Sequence, residues 1–238
     1  NNIHAFYDKK KIDEKDLQTI ISAVKEKKIE GINVTVPFKK AVIPYLDKLS
    51  PEAEQTQSVN TIILTDDILV GHNTDISGFT KAIKDLNFNI RGKKIFILGA
   101  GGVVPSIIFA LNKMNVSEII ISNRTRQKAD DLKSQFKIIN VIDWGNIPNF
   151  DMIINATSLG LNNETLNLNF SEVGDNKLFY DVIYNPSETS FLKEGKKLGN
   201  RTENGKLMFI YQASEAFKLW HGVEPKINTN ILKLLEND

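Results

Sequence analysis

The sequence predicts an α/β fold in two domains, one of them a doubly wound parallel sheet. Three observations carry that prediction. Residues 95–104, IFILGAGGVV, form a short apolar run that ends on Gly99-Ala100-Gly101-Gly102 and passes into a helical pattern. From residue 93 onward, short apolar segments alternate with helical patterns, as parallel strands joined by crossover helices require. The residues ahead of that region carry strand and helix patterns of their own. A buried strand that turns on glycines into a helix lets backbone N–H groups and a helix N-terminus approach a phosphate without obstruction by side chains. The glycine run is a nucleotide site in outline.

Composition narrows the function. The chain has 238 residues, 41% hydrophobic and 25% charged, the make-up of a globular protein able to bury one large core or two modest ones. With 30 Lys and Arg against 29 Asp and Glu there is no cationic surplus to neutralise nucleic-acid phosphates, so nucleic acid is not an expected partner. No apolar run approaches a membrane span, and no membrane partner is expected. The absence of cysteine excludes disulfides, thiolate metal sites and cysteine nucleophiles. That suits a reducing compartment, and a cytoplasmic location is the expectation. His4, His72 and His221 lie far apart in sequence, outside any metal-ligand spacing, so no metal is expected.

In chain order, residues 4–9 read as a strand. Asp13 then caps a helix whose buried stripe is Leu17, Ile20, Ile21 and Val24. Residues 31–36 read as the next strand, ended by Pro37, a residue suited to a first helical turn; Lys39 then sits at the C-terminal end of a strand, the edge where ligands bind in open α/β sheets. Ser50-Pro51 starts a helix, with Ser as cap and Pro at the first position. Residues 61–64 and 68–70 flank Thr65-Asp66-Asp67 as a hairpin. Phe79, Ile83 and Leu86 mark a helix that reads as a connector between domains. The sheet strands are residues 95–98, 118–122, 138–142, 152–155 and 178–181. Helical faces follow at Ile107, Ile108, Leu111 and Met114, then at Ala129, Leu132 and Phe136. Further helices span residues 189–198, stopped near Gly199, then 206–220 and 229–235.

Several clusters carry polar chemistry at strand ends. Asn123-Arg124-Thr125 follows the second strand of the parallel sheet, where an NAD-binding unit usually places an acidic residue on the ribose hydroxyl. Arg124 offers instead a planar fork that pairs bidentately with a phosphate, which favours the 2′-phosphate of NADP(H); the plainer alternative is a solvated Arg at a helix start. Arg126 and Lys128 add cationic charge beside it. Asn155-Ala156-Thr157-Ser158 ends the fourth strand with small polar groups, a second wall for a cofactor or a simple turn. Ahead of the glycines lie NVTVPFK from Asn33, VNT from Val59 and NTD from Asn73. Taken singly, these have plain explanations in a solvated Lys39, a turn at Asn60 and an Asp75 that caps a helix.

Taken in order, with DVIYNP from Asp181, Asn204-Gly205 and Gln212-Ala213 followed by Phe217, Trp220 and Gly222, they give a chain that resembles the shikimate dehydrogenase family over residues 31–222. The resemblance implies reversible, NADPH-dependent reduction of 3-dehydroshikimate to shikimate, a step of aromatic amino-acid and chorismate biosynthesis. It implies a substrate domain of residues 1–75 and 206–238, a Rossmann-like NADP domain of residues 76–205, and a cleft between them. Carried over, Lys39 and Asp75 are the catalytic pair, and Thr35, Asn60, Tyr184 and Gln212 contact the substrate. Gly99, Ala100, Gly101, Gly102, Val103, Asn123, Arg124, Thr125, Ala156, Thr157 and Ser158 hold the cofactor, with Gly205 near the nicotinamide. Hydride delivery to a ring carbonyl puts alkoxide character on oxygen, which needs a nearby proton donor, and an ammonium at Lys39 supplies it. A small-molecule substrate and a monomer or homodimer follow from the same resemblance.

The chain departs from the pattern twice. The family's Ser-x-Ser carboxylate clamp has no match before Asn33. Residues ahead of Asn1 would supply it; a chain that starts at Asn1 loses carboxylate binding and one strand of the substrate sheet. Val104-Pro105 replaces the small residues usual after the glycines, which predicts a slightly altered pyrophosphate loop. The rival assignments are a quinate/shikimate dehydrogenase relative and a non-catalytic NADP-binding regulatory protein. An acidic residue at Arg124 would have favoured NAD, and the presence of both Lys39 and Asp75 speaks for catalysis.

Overall fold

The computed structural model describes residues 3–162 and 164–234. The chain divides into two compact units, Asn1–Thr74 with Ala213–Ile227, and Asp75–Gln212 with Asn228–Asp238. The first boundary falls inside the NTD motif, between Thr74 and Asp75.

The first unit is built on a mixed sheet. Helix α1 (Leu17–Lys25) follows a short 3-10 turn at Glu14–Asp16, where the Asp16 carboxylate accepts the Asp13 N–H at 3.3 Å. Strands β1 (Gly31–Asn33), β2 (Lys48–Leu49), β3 (Thr61–Thr65) and β4 (Ile68–His72) stand in the order β1-β3-β4-β2. β3 and β4 are antiparallel, with Thr65 opposite Ile68. The hairpin therefore turns on Asp66-Asp67 alone, and both residues take the positive φ that a two-residue primed turn demands. Between β2 and β3, helix α2 (Pro51–Thr56) starts as its sequence predicts: Ser50 Oγ accepts the Ala53 N–H at 3.2 Å and Pro51 takes the first position. Leu17, Ile21, Val24, Val42, Ala53, Val59, Ile62 and Leu69 form the core.

Three expectations for this unit need correction. Residues 4–9 form no strand; they run irregularly, with Phe6 and Tyr7 exposed and no ladder partner among the described residues. The strand expected over 31–36 stops at Asn33, because the chain then folds into turns that run to Val42, beginning with Phe38 N–H donating to Thr35 O. Pro37, joined to Val36 by a cis peptide, lies in those turns and not in a helix. Lys39 is consequently a turn residue beyond the strand end.

The second unit is a six-stranded, wholly parallel sheet of β5 (Lys94–Leu98), β6 (Glu118–Ser122), β7 (Ile139–Ile142), β8 (Met152–Asn155), β9 (Leu178–Asp181) and β10 (Arg201–Glu203). Its order is β10-β9-β8-β5-β6-β7, so the chain winds outward in both directions from β5 and β8. Side chains alternate along each strand, and here both faces are buried. Ile95 and Ile97 of β5 enter one core with Met152, Ile154, Leu178 and Tyr180; Phe96 and Leu98 enter the other with Phe150, Ile153, Phe179 and Phe191. Helices α3 (Asp75–Asp85) and α4 (Val104–Lys113) cover the first face, whereas α6 (Ser190–Lys197) packs against β9 and β10. α5 (Arg126–Gln135) lies against β6 and β7. α3 is not a mere connector, because Ile76, Phe79, Ala82, Ile83 and Leu86 are buried in that core. α7 (Lys206–His221) gives its residues through Gln212 to this unit and those from Ala213 to the first. The last helix, α8, covers Thr229–Leu234; Leu235, expected to end it, lies outside the described residues.

Candidate functional site

The switch point of the parallel sheet lies between the C-terminal ends of β5 and β8, the place where a doubly wound sheet opens a crevice for a ligand. The glycine turn leaves β5 there. Gly99 has φ +110°, its N–H donates to Ser122 O at 2.8 Å, and a Cβ on it would lie 2.7 Å from Ala156 O. Packing alone therefore demands glycine at position 99. Gly101 differs. Its φ is ordinary, it is exposed, and the nearest atom to a Cβ there would be Ala156 O at 3.9 Å. Among the described residues no packing contact requires Gly101 to lack a side chain, and a bare residue there leaves room for the close approach of a diphosphate.

Around that turn the expected cofactor residues come together. Ala100, Gly102 and Val103 complete the loop into α4, where the Val104 N–H closes on Gly101 O at 3.0 Å. Val104 itself is 0% exposed, filling the core between helix and sheet, and Pro105 sits within the first helical turn. Asn123-Arg124-Thr125 follows β6 on the neighbouring strand, and the Asn123 Nδ2 donates to Thr125 O at 2.8 Å. Arg124 is exposed and makes no ion pair or hydrogen bond among the described residues, so its fork is available. Arg126, expected to add to the same field, is committed elsewhere: it pairs with Asp130 at 3.1 Å and with Asp143, and these partners raise its pKa further. Lys128 is exposed. Ala156, Thr157 and Ser158 leave β8, with the Ala156 N–H on Leu98 O at 2.8 Å. The residues at this crevice fit a dinucleotide with a 2′-phosphate.

Other predicted residues of the second unit gather at α3 and α7. Asp75, 6% exposed, is the first residue of α3. One turn later Gly78 meets α7 so closely that a Cβ would lie 2.8 Å from Met208 O and 2.9 Å from Gln212 N, which sets Gln212 beside the first turn of α3. The Tyr211 hydroxyl donates to the Asp85 carboxylate, which fixes α7 on the same helix and pushes the phenol up to about 12. Tyr184 stacks on Phe209 of α7, ring centroids 4.5 Å apart. Gly205 is buried against Val182, with its N–H on Ile183 O at 3.0 Å.

In the first unit, Thr35 is exposed and Lys39 half-buried, with Lys39 O accepting the Val59 N–H at 2.8 Å. Asn60 is 3% exposed. Its Oδ1 accepts the Thr74 N–H at 2.8 Å, and its Nδ2 donates to Thr74 Oγ1 at 3.0 Å. Asn33 Nδ2 reaches Asn60 O and Thr61 Oγ1, so the NVTVPFK, VNT and NTD segments are tied by one hydrogen-bonded group. Sequence reasoning missed a second such group, formed by Asp181 and Asn155. Its only signal was the pair of motifs, NATS and DVIYNP, that contain those residues.

Family models match both units, the shikimate dehydrogenase substrate binding domain over residues 1–62 and shikimate / quinate 5-dehydrogenase over residues 80–173. The shikimate dehydrogenase (NADP(+)) of Pelagibacter ubique strain HTCC1062 is 50% identical over 98% of this chain and 89% of its own length. The chain belongs to the shikimate dehydrogenase family. Among solved structures it is similar to the shikimate 5-dehydrogenase of Thermus thermophilus in complex with NADP(H) and shikimate, 30% identical, TM-score 0.85, covering 93% of this chain and 84% of that one. It is also similar to the quinate dehydrogenase of Corynebacterium glutamicum in complex with NAD, 30% identical, TM-score 0.83, covering 93% and 82%. Among the described residues no cluster of His, Cys, Asp and Glu could hold a metal ion, and no helix is long and apolar enough to cross a membrane.

Proposed function

We propose that this chain catalyses the reversible NADPH-dependent reduction of 3-dehydroshikimate to shikimate in chorismate and aromatic amino-acid biosynthesis. The observation that carries the reading is the presence, on one family chain, of Lys39 and Asp75 together with a glycine turn left bare at Gly101 for no packing reason. NADPH supplies the hydride. The Lys39 ammonium stabilises the oxyanion that forms on the ring and delivers the proton, a role worth typically about 10²- to 10⁴-fold in rate. Asp75, the other member of the catalytic pair, accepts a hydrogen bond from a substrate hydroxyl. Thr35, Asn60, Tyr184 and Gln212 bind the remaining polar groups of the ring, and a site built on such bonds rejects analogues that lack a hydroxyl. Gly205 lies by the nicotinamide, Ala156, Thr157 and Ser158 wall the cofactor, and Arg124, between Asn123 and Thr125, takes the 2′-phosphate.

Functionally, residues 1–75 and 206–238 serve the substrate and residues 76–205 the cofactor, although Asp75 and Gln212 pack with the second compact unit. The enzyme works in the cytoplasm as a monomer or homodimer; the lack of cysteine supports the compartment. The test is oxidation of shikimate and of quinate with NADP+ and with NAD+, from neutral to alkaline pH. Shikimate with NADP+ is the expected pair, with a rate that rises as a base becomes available. Turnover of quinate with NAD+ in preference would install the quinate assignment, and no turnover with any pair would leave a binding protein.

A further inference from the structure

One buried carboxylate has no part in the chemistry above. Asp181, the last residue of β9, is 0% exposed. Its Oδ1 accepts the Ile183 N–H at 3.0 Å and Asn155 Nδ2 at 3.1 Å; its Oδ2 accepts the Thr189 hydroxyl at 2.6 Å and Asn155 Nδ2 at 3.2 Å. Asn155 ends β8 directly beside Asp181 in the parallel register. The far edge of its amide controls the next turn: Asn155 Oδ1 accepts both the N–H and the hydroxyl of Thr157, at 3.1 and 2.7 Å. Thr157 Oγ1 in turn accepts the Leu159 N–H at 3.1 Å, and Asn155 Nδ2 reaches Leu159 O at 3.1 Å.

A carboxylate only accepts hydrogen bonds, so it dictates which end of the Asn155 amide faces it. Nδ2 must point to Asp181, which leaves Oδ1 for Thr157. Beyond the strand ends no ladder holds the chain, and this side-chain network takes the ladder's place. On its other side, Asp181 fixes Ile183, whose carbonyl holds the Gly205 N–H, and next to which Tyr184 stacks on Phe209.

We infer that Asp181 is a positioning residue: through Asn155 it sets the turn of residues 156–159, and through Ile183 the turn that carries Tyr184, so that the nicotinamide half of the cofactor meets a preformed wall. The inference rests on the proposal that Thr157 and Ser158 line the cofactor. It predicts a split between the two halves of the dinucleotide, which a general loss of stability would not produce.

The experiment compares wild type, Asp181→Asn and the swapped pair Asp181→Asn/Asn155→Asp, reading amide hydrogen exchange and the Kd of NADP+ and of 2′,5′-ADP, which carries only the adenosine end. Asp181→Asn lets Asn155 turn over and put Nδ2 against the Thr157 N–H. Exchange in 156–159 and 182–184 then accelerates, NADP+ weakens about tenfold, as loss of one charged hydrogen bond allows, and 2′,5′-ADP stays within about twofold. The swap again opposes one carboxylate to one amide and brings NADP+ back to within about threefold of wild type. Equal weakening of both ligands, unchanged exchange with unchanged NADP+ affinity, or a swap no better than the single variant overturns the inference. In wild type, NADP+ should protect the amides of 156–159; if it does not, the cofactor-wall reading itself fails, whatever the variants do. If Asp181→Asn does not fold, Thr189→Val, which removes one donor, carries the same test with a weakening of about threefold.

Discussion

Lys39 and Arg124 are long cationic side chains for which different chemistry is proposed. Lys39 lies half-buried in the turns after β1, backed by the hydrogen bond from Val59 to its carbonyl. In the proposed reaction its interaction with the ring oxygen would belong chiefly to the transition state, where charge develops. Lys39→Ala should therefore lower kcat by about 10²-fold or more while moving KM little, and a loss confined to KM would remove the proton-donor role. In the proposed site Arg124 would act on a charge already present in the ground state, the 2′-phosphate. Arg124→Ala should weaken NADPH by roughly 1.5–3 kcal/mol in a fluorescence titration and leave NADH unaffected. Equal losses for the two cofactors would show that Arg124 does not read the 2′-phosphate.

At the scale of an element, the glycine turn separates what the fold needs from what the ligand needs. Gly99→Ala forces a Cβ against Ala156 O at φ +110° and should cost roughly 1–3 kcal/mol of stability. Gly101→Ala meets no protein atom closer than 3.9 Å, so denaturant unfolding should move within about 0.5 kcal/mol while NADP+ affinity falls about tenfold or more. A destabilised Gly101→Ala, or one that binds NADP+ normally, would mean that the residue serves packing. The strands around this turn were legible because β5, β6, β8 and β9 are buried on both faces and read as unbroken apolar runs. β10 was not legible: Arg-Thr-Glu at a sheet edge pairs only with β9 and has no reason to be apolar. The reverse error arose at residues 4–9, where the short run Ala5-Phe6-Tyr7 finds no ladder partner among the described residues. The motif residues proposed for the site are named from the resemblance to the family. The Asp181–Asn155 group could not be named in advance, because a buried carboxylate satisfied by neighbours from other segments leaves no periodic mark.

For the whole molecule, the pH dependence of stability gathers opposing contributions. Burial holds the Asp181 carboxyl up at about 6, above its ordinary 3.8, so the folded state binds its proton more tightly than the unfolded chain does. Such a group costs nothing below about pH 4 and penalises the fold increasingly as pH rises to about 6, in total about 3 kcal/mol at roughly 1.4 kcal/mol per unit. Glu164 has the opposite sign. The backbone N–H of Asn162, followed by that of Glu164 itself, the Asn162 side-chain amide and the Gly160 N–H, pulls it down to about 2, so its contribution is present above pH 4.5 and is lost as pH falls toward 2. His72, with its pKa lowered by burial, also favours the fold at higher pH, its contribution being lost as pH falls below its ordinary 6.5. A pH scan of wild type alone mixes these terms, whereas the difference between wild type and Asp181→Asn retains only the Asp181 term. The two tryptophans make that difference measurable, since Trp144 packs in the parallel-sheet unit with Asp181 and Trp220 belongs to the other, where its Nε1 donates to Ile62 O at 3.2 Å. In a Trp220→Phe background, denaturant unfolding followed by Trp144 fluorescence reports the unit that holds Asp181. From pH 6.5 to pH 4 the wild-type residue should gain about 2 kcal/mol relative to asparagine. A difference independent of pH, or one that shrinks toward acid, would show that Asp181 folds as an ordinary ionised carboxylate, held by its donors more strongly than burial opposes it.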